Sequence, residues 1–169
     1  MPNEIERKFK IKEIPNTLPK PLDLTQTYLE APKGEERRVR SINNERFVMT
    51  IKRPKSSNGL VREEIEKEIS KEDYELFLKS QIGTQIKKKR YKIPEDNNLT
   101  YELDIYEGNL KGLMVVEVEF MSKEAATQFQ PPEWFGDEVT SNKEYKNSSL
   151  ALNGMPSDII IKRNSSMIR

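Results

Sequence analysis

The 169 residues include no cysteine and no histidine. Thiol nucleophiles, disulfides, typical zinc sites and any acid–base scheme needing an imidazole are therefore excluded. Apolar residues reach only 34%, with a single tryptophan, and no apolar run approaches the roughly 20 residues of a membrane-spanning helix. The N-terminus lacks a basic-then-apolar leader pattern, so a cytoplasmic protein without membrane partners is expected. With 29 basic and 28 acidic residues the net charge is +1, which supplies no global field toward nucleic acid or a membrane. What remains for chemistry is carboxylate, lysine, arginine, tyrosine and hard metal ions.

Charge is abundant: 34% of the chain, as much as its apolar content. That fits either partial disorder or a fold that uses charge internally. The period-two patterning along most of the chain favours the second, and the length suits one domain with a real core.

The N-terminal run Glu4-Ile5-Glu6-Arg7-Lys8-Phe9 sets the pattern. As a strand it projects Glu4, Glu6 and Lys8 from one face and Ile5, Phe9 and Ile11 from the other. Pro15, Pro19 and Pro21 then require an irregular crossover. A strand is predicted over 25–29, through Tyr28, followed by a hairpin of 36–42 and 46–52 around Asn43-Asn44. Arg38 and Arg40 share one face of its first arm, Thr50 and Lys52 one face of its second.

The same alternation recurs downstream. Glu64, Glu66 and Glu68 oppose Val61, Ile65 and Ile69; Lys88, Arg90 and Lys92 share a face over 86–93; Glu102 and Asp104 oppose Tyr101, Leu103 and Ile105; Glu117 and Glu119 oppose Val116, Val118 and Phe120. Three helices are predicted between and after these strands. Ser70, with Asp73 three residues on, caps one carrying Tyr74, Phe77 and Leu78. Ser122 caps a short one carrying Ala125, Ala126 and Phe129, ended by Pro131-Pro132. Ser141 and Glu144 form a capping box for the last, through Tyr145, Leu150 and Leu152, closed by Gly154. The tail from Met155 is read as an extra strand or a mobile end.

Solvent faces ordinarily intersperse signs, because like charges on neighbouring positions repel. Here signs are sorted by strand: acidic at Glu4/Glu6, Glu64/Glu66, Glu102/Asp104 and Glu117/Glu119, basic at Arg38/Arg40 and Lys88/Arg90. A closed antiparallel barrel would gather these faces in a wet lumen. A sandwich with an apolar core and solvated charges satisfies the same pattern. Patterning alone leaves both open.

The ordered set of motifs resembles the CYTH proteins of the triphosphate tunnel metalloenzyme superfamily, especially the small bacterial inorganic triphosphatases. Glu4-Ile5-Glu6-Arg7-Lys8 matches their E-x-E-x-K signature, Arg38-Val39-Arg40 their R-x-R strand and Thr50-Ile51-Lys52 their lysine strand. Glu64-Ile65-Glu66, Lys88-Lys89-Arg90, Glu102-Leu103-Asp104 and 116–120 follow in the family's order, and 131–136 and 143–147 look like the small bacterial branch. The resemblance covers residues 1–153 as one domain and leaves 154–169 as a tail of unassigned role.

It implies an α+β fold, an eight-stranded antiparallel β-barrel tunnel with a charged lumen flanked by a few helices. It implies a triphosphate-containing small-molecule substrate and Mg2+ or Mn2+ as cofactor. Lys8, Arg38, Arg40, Lys52, Lys88 and Arg90 would grip phosphate oxygens. Glu4, Glu6, Glu64, Glu66, Asp104, Glu117 and Glu119 would hold metal, directly or through water. Glu4, Glu6, Lys8 and Tyr28 would be catalytic, although a lone strand tyrosine equally suits packing. The expected activity is metal-dependent hydrolysis of tripolyphosphate. The alternatives are a class IV-type adenylate cyclase, a thiamine triphosphatase, or a non-catalytic polyphosphate-binding module. An apolar outer strand surface allows a homodimer.

Overall fold

The computed structural model describes residues 5–54 and 62–160, and Glu4 and Val61 lie outside this range. Nine strands run in chain order: β1 (Ile5–Ile11), β2 (Leu22–Leu29), β3 (Glu36–Ile42), β4 (Arg46–Pro54), β5 (Arg62–Ile69), β6 (Gln81–Pro94), β7 (Thr100–Tyr106), β8 (Met114–Phe120) and β9 (Phe135–Glu138). All form one antiparallel sheet in the order β5-β4-β3-β2-β6-β7-β8-β1-β9. The eight expected strands are joined by a ninth, β9. It is only four residues long and follows Pro131-Pro132, too short to show alternation. Among the described residues β5 and β9 are the sheet's edges and share no ladder, so the barrel is not closed by hydrogen bonds.

The sheet nonetheless curls around one face. β1 and β4 have five strands between them in the sheet order, yet Glu6 and Lys52 interact electrostatically, as do Arg40 of β3 and Asp104 of β7. A flat sheet, with strands about 4.8 Å apart, would hold such pairs out of range.

The apolar alternates point outward, beneath short helices. Val39, Phe47 and Met49 pack with Tyr74 of α1 (Lys71–Phe77), which Ser70 caps by accepting from the Asp73 amide at 3.0 Å. Phe9, Tyr101, Val116 and Val118 pack with Ala126 of α2 (Lys123–Gln128) and with Phe129, Trp134 and Phe135. Ser122 caps α2 as expected, accepting from the Ala125 amide. The hairpin turn sits where it was predicted, with Asn43 and Asn44 both left-handed at φ near 55°, a region that asparagine tolerates better than most residues.

The C-terminal elements differ from the capping-box expectation. Asn142, not Ser141, accepts from the Glu144 amide, and it starts only a single 3₁₀ turn over Lys143–Tyr145. The backbone is extended at Lys146 before α3 (Asn147–Asn153) begins. This break lets Tyr145 point inward while Leu150 and Ala151 of α3 pack on the sheet. Gly83 of β6 makes the approach possible: its φ is +65°, and a Cβ there would meet the Ala151 carbonyl oxygen at 2.5 Å. Beyond α3, residues 157–160 are helical rather than a strand.

Candidate functional site

Strand register decides which side chains meet. Glu6 pairs with Glu119 and Lys8 with Glu117 across β1 and β8, and Glu117 in turn pairs with Glu102 of β7. Asp104 lies opposite Arg90, Gln26 opposite Arg40, Tyr28 opposite Arg38, Arg38 opposite Thr50, Thr50 opposite Glu66, and Lys52 opposite Glu64. Because directly opposed residues project to the same side of a sheet, these side chains share the inner face. Every candidate within the described residues belongs to this row, and Glu4 lies outside the described residues.

Two regions of the row behave differently. In the first, Lys8 Nζ sits 3.1 Å from Glu117 and also donates to the Tyr145 carbonyl at 3.0 Å. Glu6 keeps contact with solvent, yet the surrounding walls strip part of its hydration. That desolvation, followed by repulsion from Glu117, raises the Glu6 carboxyl above its ordinary pKa, with Lys8 and Lys52 offsetting only part of the rise.

In the second, Arg90 grips Asp104 through two parallel bonds, Nε to Oδ1 at 2.8 Å and Nη2 to Oδ2 at 2.9 Å. Lys88 Nζ lies 2.8 Å from the same Asp104 Oδ2 and 5.2 Å from the centre of the Tyr106 ring. Lys88 and Asp104 are each about 1% exposed. Burial opposes the Asp104 charge, but Lys88 and Arg90 outweigh it and hold the carboxyl well below its usual range. For Lys88 burial wins, and its pKa falls to about 8. The Lys88 charge is held by Asp104 at ion-pair distance and by the face of the Tyr106 ring.

Arg40, crowded by burial and by Arg90 and Arg38, has a lowered pKa. It remains a cation, since arginine stays protonated in proteins. Its guanidinium reaches Gln26 Oε1 from Nε at 3.1 Å and Nη2 at 2.6 Å. Tyr28, 3% exposed, receives a 2.8 Å bond from Gln26 Nε2, and burial raises its pKa, so the phenol stays neutral.

Toward one end the inner face turns apolar. Tyr28, Ile86, Tyr106 and Val115 pack against Tyr145, Leu150 and Ala151, so the C-terminal segment stoppers that end. The Tyr106 hydroxyl donates to Asn147 Oδ1 at 2.8 Å. The tail adds a tie. Tyr145 donates to Asp158, which also pairs with Lys10 of β1, and Ser157 donates to Glu144 at 2.8 Å.

Sequence reasoning left Gln26, Glu36 (opposite Lys52 on the inner face), Lys10 and the apolar stopper out of the site. Period-two extrapolation from Tyr28, Arg38 and Lys8 would have found the first three. The stopper residues carried no signal, because Ile86 and Val115 read as ordinary strand hydrophobes.

The chain belongs to the CYTH family: the CYTH domain model matches residues 2–150. It is 42% identical over 150 residues to an inorganic triphosphatase of Nitrosomonas europaea, covering 88% of this chain and 97% of that protein. An inorganic triphosphatase of Acetivibrio thermocellus is 33% identical, with 90% and 96% covered. The fold matches a crystal structure of an inorganic triphosphatase with a TM-score of 0.70 at 38% identity, covering 93% of this chain and 99% of that one. Among the described residues no helix is long and apolar enough to cross a membrane.

Proposed function

We propose that this chain is a divalent-metal-dependent inorganic triphosphatase, hydrolysing tripolyphosphate to orthophosphate and pyrophosphate. The observation that carries the reading is the inner row itself. Arg38, Arg40, Lys52, Lys8 and Arg90 share one face with the under-neutralised carboxylates Glu6 and Glu117. The names of the two relatives above support the same substrate.

The donor set suits a hard cation in part. Among the described residues no three carboxylates converge closely enough to hold a metal by themselves. Glu6 and Glu117, however, face each other at a cost that a cation would relieve, and Mg2+ needs only one or two carboxylates when phosphates and water complete its shell. Glu6 and Glu117 would hold the ion, with Glu119 beside Glu6 on the ladder and Glu64 and Glu66 across the lumen; Glu4, the other member of the sequence motif, lies outside the described residues. Asp104, already neutralised by two cations, is the weakest member of the expected metal set. When bound, Mg2+ or Mn2+ supplies charge neutralisation and a more acidic water.

The rest falls to the chain. Arg38 and Arg40 bind phosphate oxygens in a fork geometry, while Lys8 and Lys52 act as point charges on either side of the lumen. Lys88, turned into the wall, sets the position of Asp104 and through it Arg90. Phosphoryl transfer asks for such positioning and charge stabilisation more than for a protein nucleophile. The apolar stopper suits a short inorganic chain better than a substrate carrying a nucleoside or thiamine at that end.

The test is a substrate panel with each divalent ion. Tripolyphosphate should yield orthophosphate and pyrophosphate only when Mg2+ or Mn2+ is present. Cyclic AMP from ATP, preference for thiamine triphosphate, or binding without turnover would each replace this reading with one of the alternatives.

A further inference from the structure

We propose that Gln26 is a positioning residue that aims the Tyr28 hydroxyl, as a proton donor, at the phosphate chain; this rests on the triphosphatase reading above. Gln26 lies on the inner face of β2, opposite Arg40 on one side and Ile86 on the other, and its side chain is fully buried. Which end of a buried amide is oxygen usually has to be inferred from its partners. Here they leave one answer. Arginine has only donors, and Arg40 Nε and Nη2 both reach the same amide atom, at 3.1 and 2.6 Å, which must be Oε1. Nε2 is left to donate, and it donates to the Tyr28 oxygen at 2.8 Å.

Arg38, directly across the ladder from Tyr28, can likewise only donate. A phenol oxygen that accepts from Gln26 Nε2 and has only guanidinium donors beside it cannot spend its own proton on any of them. Ile86 and Val115 around the ring offer it no side-chain acceptor, the Tyr106 hydroxyl is directed at Asn147, and the Glu36 carboxylate acts on the phenol through its charge, with Arg38 as its ion-pair partner. The O–H therefore faces the space between Arg38 and Arg40, where phosphate oxygens would bind. A glutamine, and no carboxylate or hydrocarbon, satisfies both neighbours in this sense at once.

The step balances as follows. Water oxygen bonds to a terminal phosphorus, the bridging P–O bond breaks with its electron pair on the leaving oxygen, and that oxygen takes the Tyr28 proton. The attacking water releases a proton to solvent. The phenolate left behind is held by Gln26 Nε2 and by the charge of the facing Arg38 until solvent reprotonates it.

Gln26→Glu keeps the shape and the Arg40 contact but offers Tyr28 an acceptor, so the hydroxyl turns back on residue 26. With tripolyphosphate as substrate, kcat should fall by about 100-fold, the lower end of what a positioned acid contributes, while KM moves much less. In a Tyr28→Phe background the same change should cost little further, because the two act as a unit. If Gln26→Glu does not fold, as judged by circular dichroism, Gln26→Met in both backgrounds carries the same test: loss of kcat only where Tyr28 is present. Equal losses in both backgrounds, an effect confined to KM, or no loss at all would overturn the proposal. If the unaltered chain cleaves no tripolyphosphate, the triphosphatase reading itself fails, which is a separate result.

Discussion

The Glu6–Glu117–Lys8 region and the Arg90–Asp104–Lys88 region are built from the same residue types on the same face, yet their electrostatics are opposite. Around Asp104 two cations meet one carboxylate in near-complete burial, and the carboxyl is held ionised far below its normal range. Around Glu6 partial loss of hydration, then repulsion from Glu117, push the carboxyl up, and Lys8 and Lys52 offset only part of the rise. The first region is complete as it stands and serves as part of the wall. The second keeps two crowded carboxylates, Glu6 and Glu117, whose mutual repulsion a bound cation would relieve. A charged residue on this face is therefore assigned by its neighbours, not by its type.

The sharpest way to break the contrast is Asp104→Asn. It leaves Arg90 and Lys88 facing each other without their shared anion, and breaking a buried pair costs about 3–5 kcal/mol. Urea unfolding should show a loss of that size. Lys88→Met, by contrast, should be nearly neutral, because Arg90 still satisfies Asp104. Similar losses for the two variants would refute the division of roles.

On the other side, Glu6→Gln and Lys8→Ala should each lower tripolyphosphate turnover by about 100-fold or more, in the range seen when one preorganised charge is removed from a site. Glu6→Gln should raise stability at neutral pH by removing the repulsion with Glu117, whereas Lys8→Ala should lower it by leaving Glu117 without its 3.1 Å partner. Parental rates in both variants would mean that the site has been placed wrongly.

A control belongs on the outer layer. Ser70→Ala removes the α1 cap and should cost about 1 kcal/mol, with no change in rate once folded protein is compared. The last comparison is a pH slope. Lys88 has a folded pKa of about 8 against an ordinary 10.5, so between those values the unfolded chain binds more protons than the folded one. The stability of the native sequence relative to Lys88→Met should therefore rise with pH across that window. A flat or falling difference in paired denaturant titrations would show that Lys88 is not buried as described.

Much of this face was legible in advance, since period-two alternation is a local property. Once 36–42 is a strand, Arg38 and Arg40 must share a side, and the family's motif order named which side is inner. Capping chemistry is also local, which is why Ser70 and Ser122 were found. The last capping box failed because Ser141 and Asn142 are both able caps, and the choice depends on where Tyr145 must point. β9 escaped because four residues of edge pairing with β1 depend on where β1 is, not on their own composition.

The alternation of charge and hydrocarbon, the absence of imidazole and thiol, and the turn and cap residues were settled by the sequence alone, because each depends on neighbours within a few positions. Whether a given carboxylate is paired or left wanting a partner was decided only when the sheet curled. Electrostatic energy depends on distance and burial, and both are set by strands far apart in the chain. Asp104 and Glu6 look alike in a list of acidic residues, and it is the company of Lys88 and Arg90 in one case, and of Glu117 in the other, that makes one a strut and the other a candidate ligand.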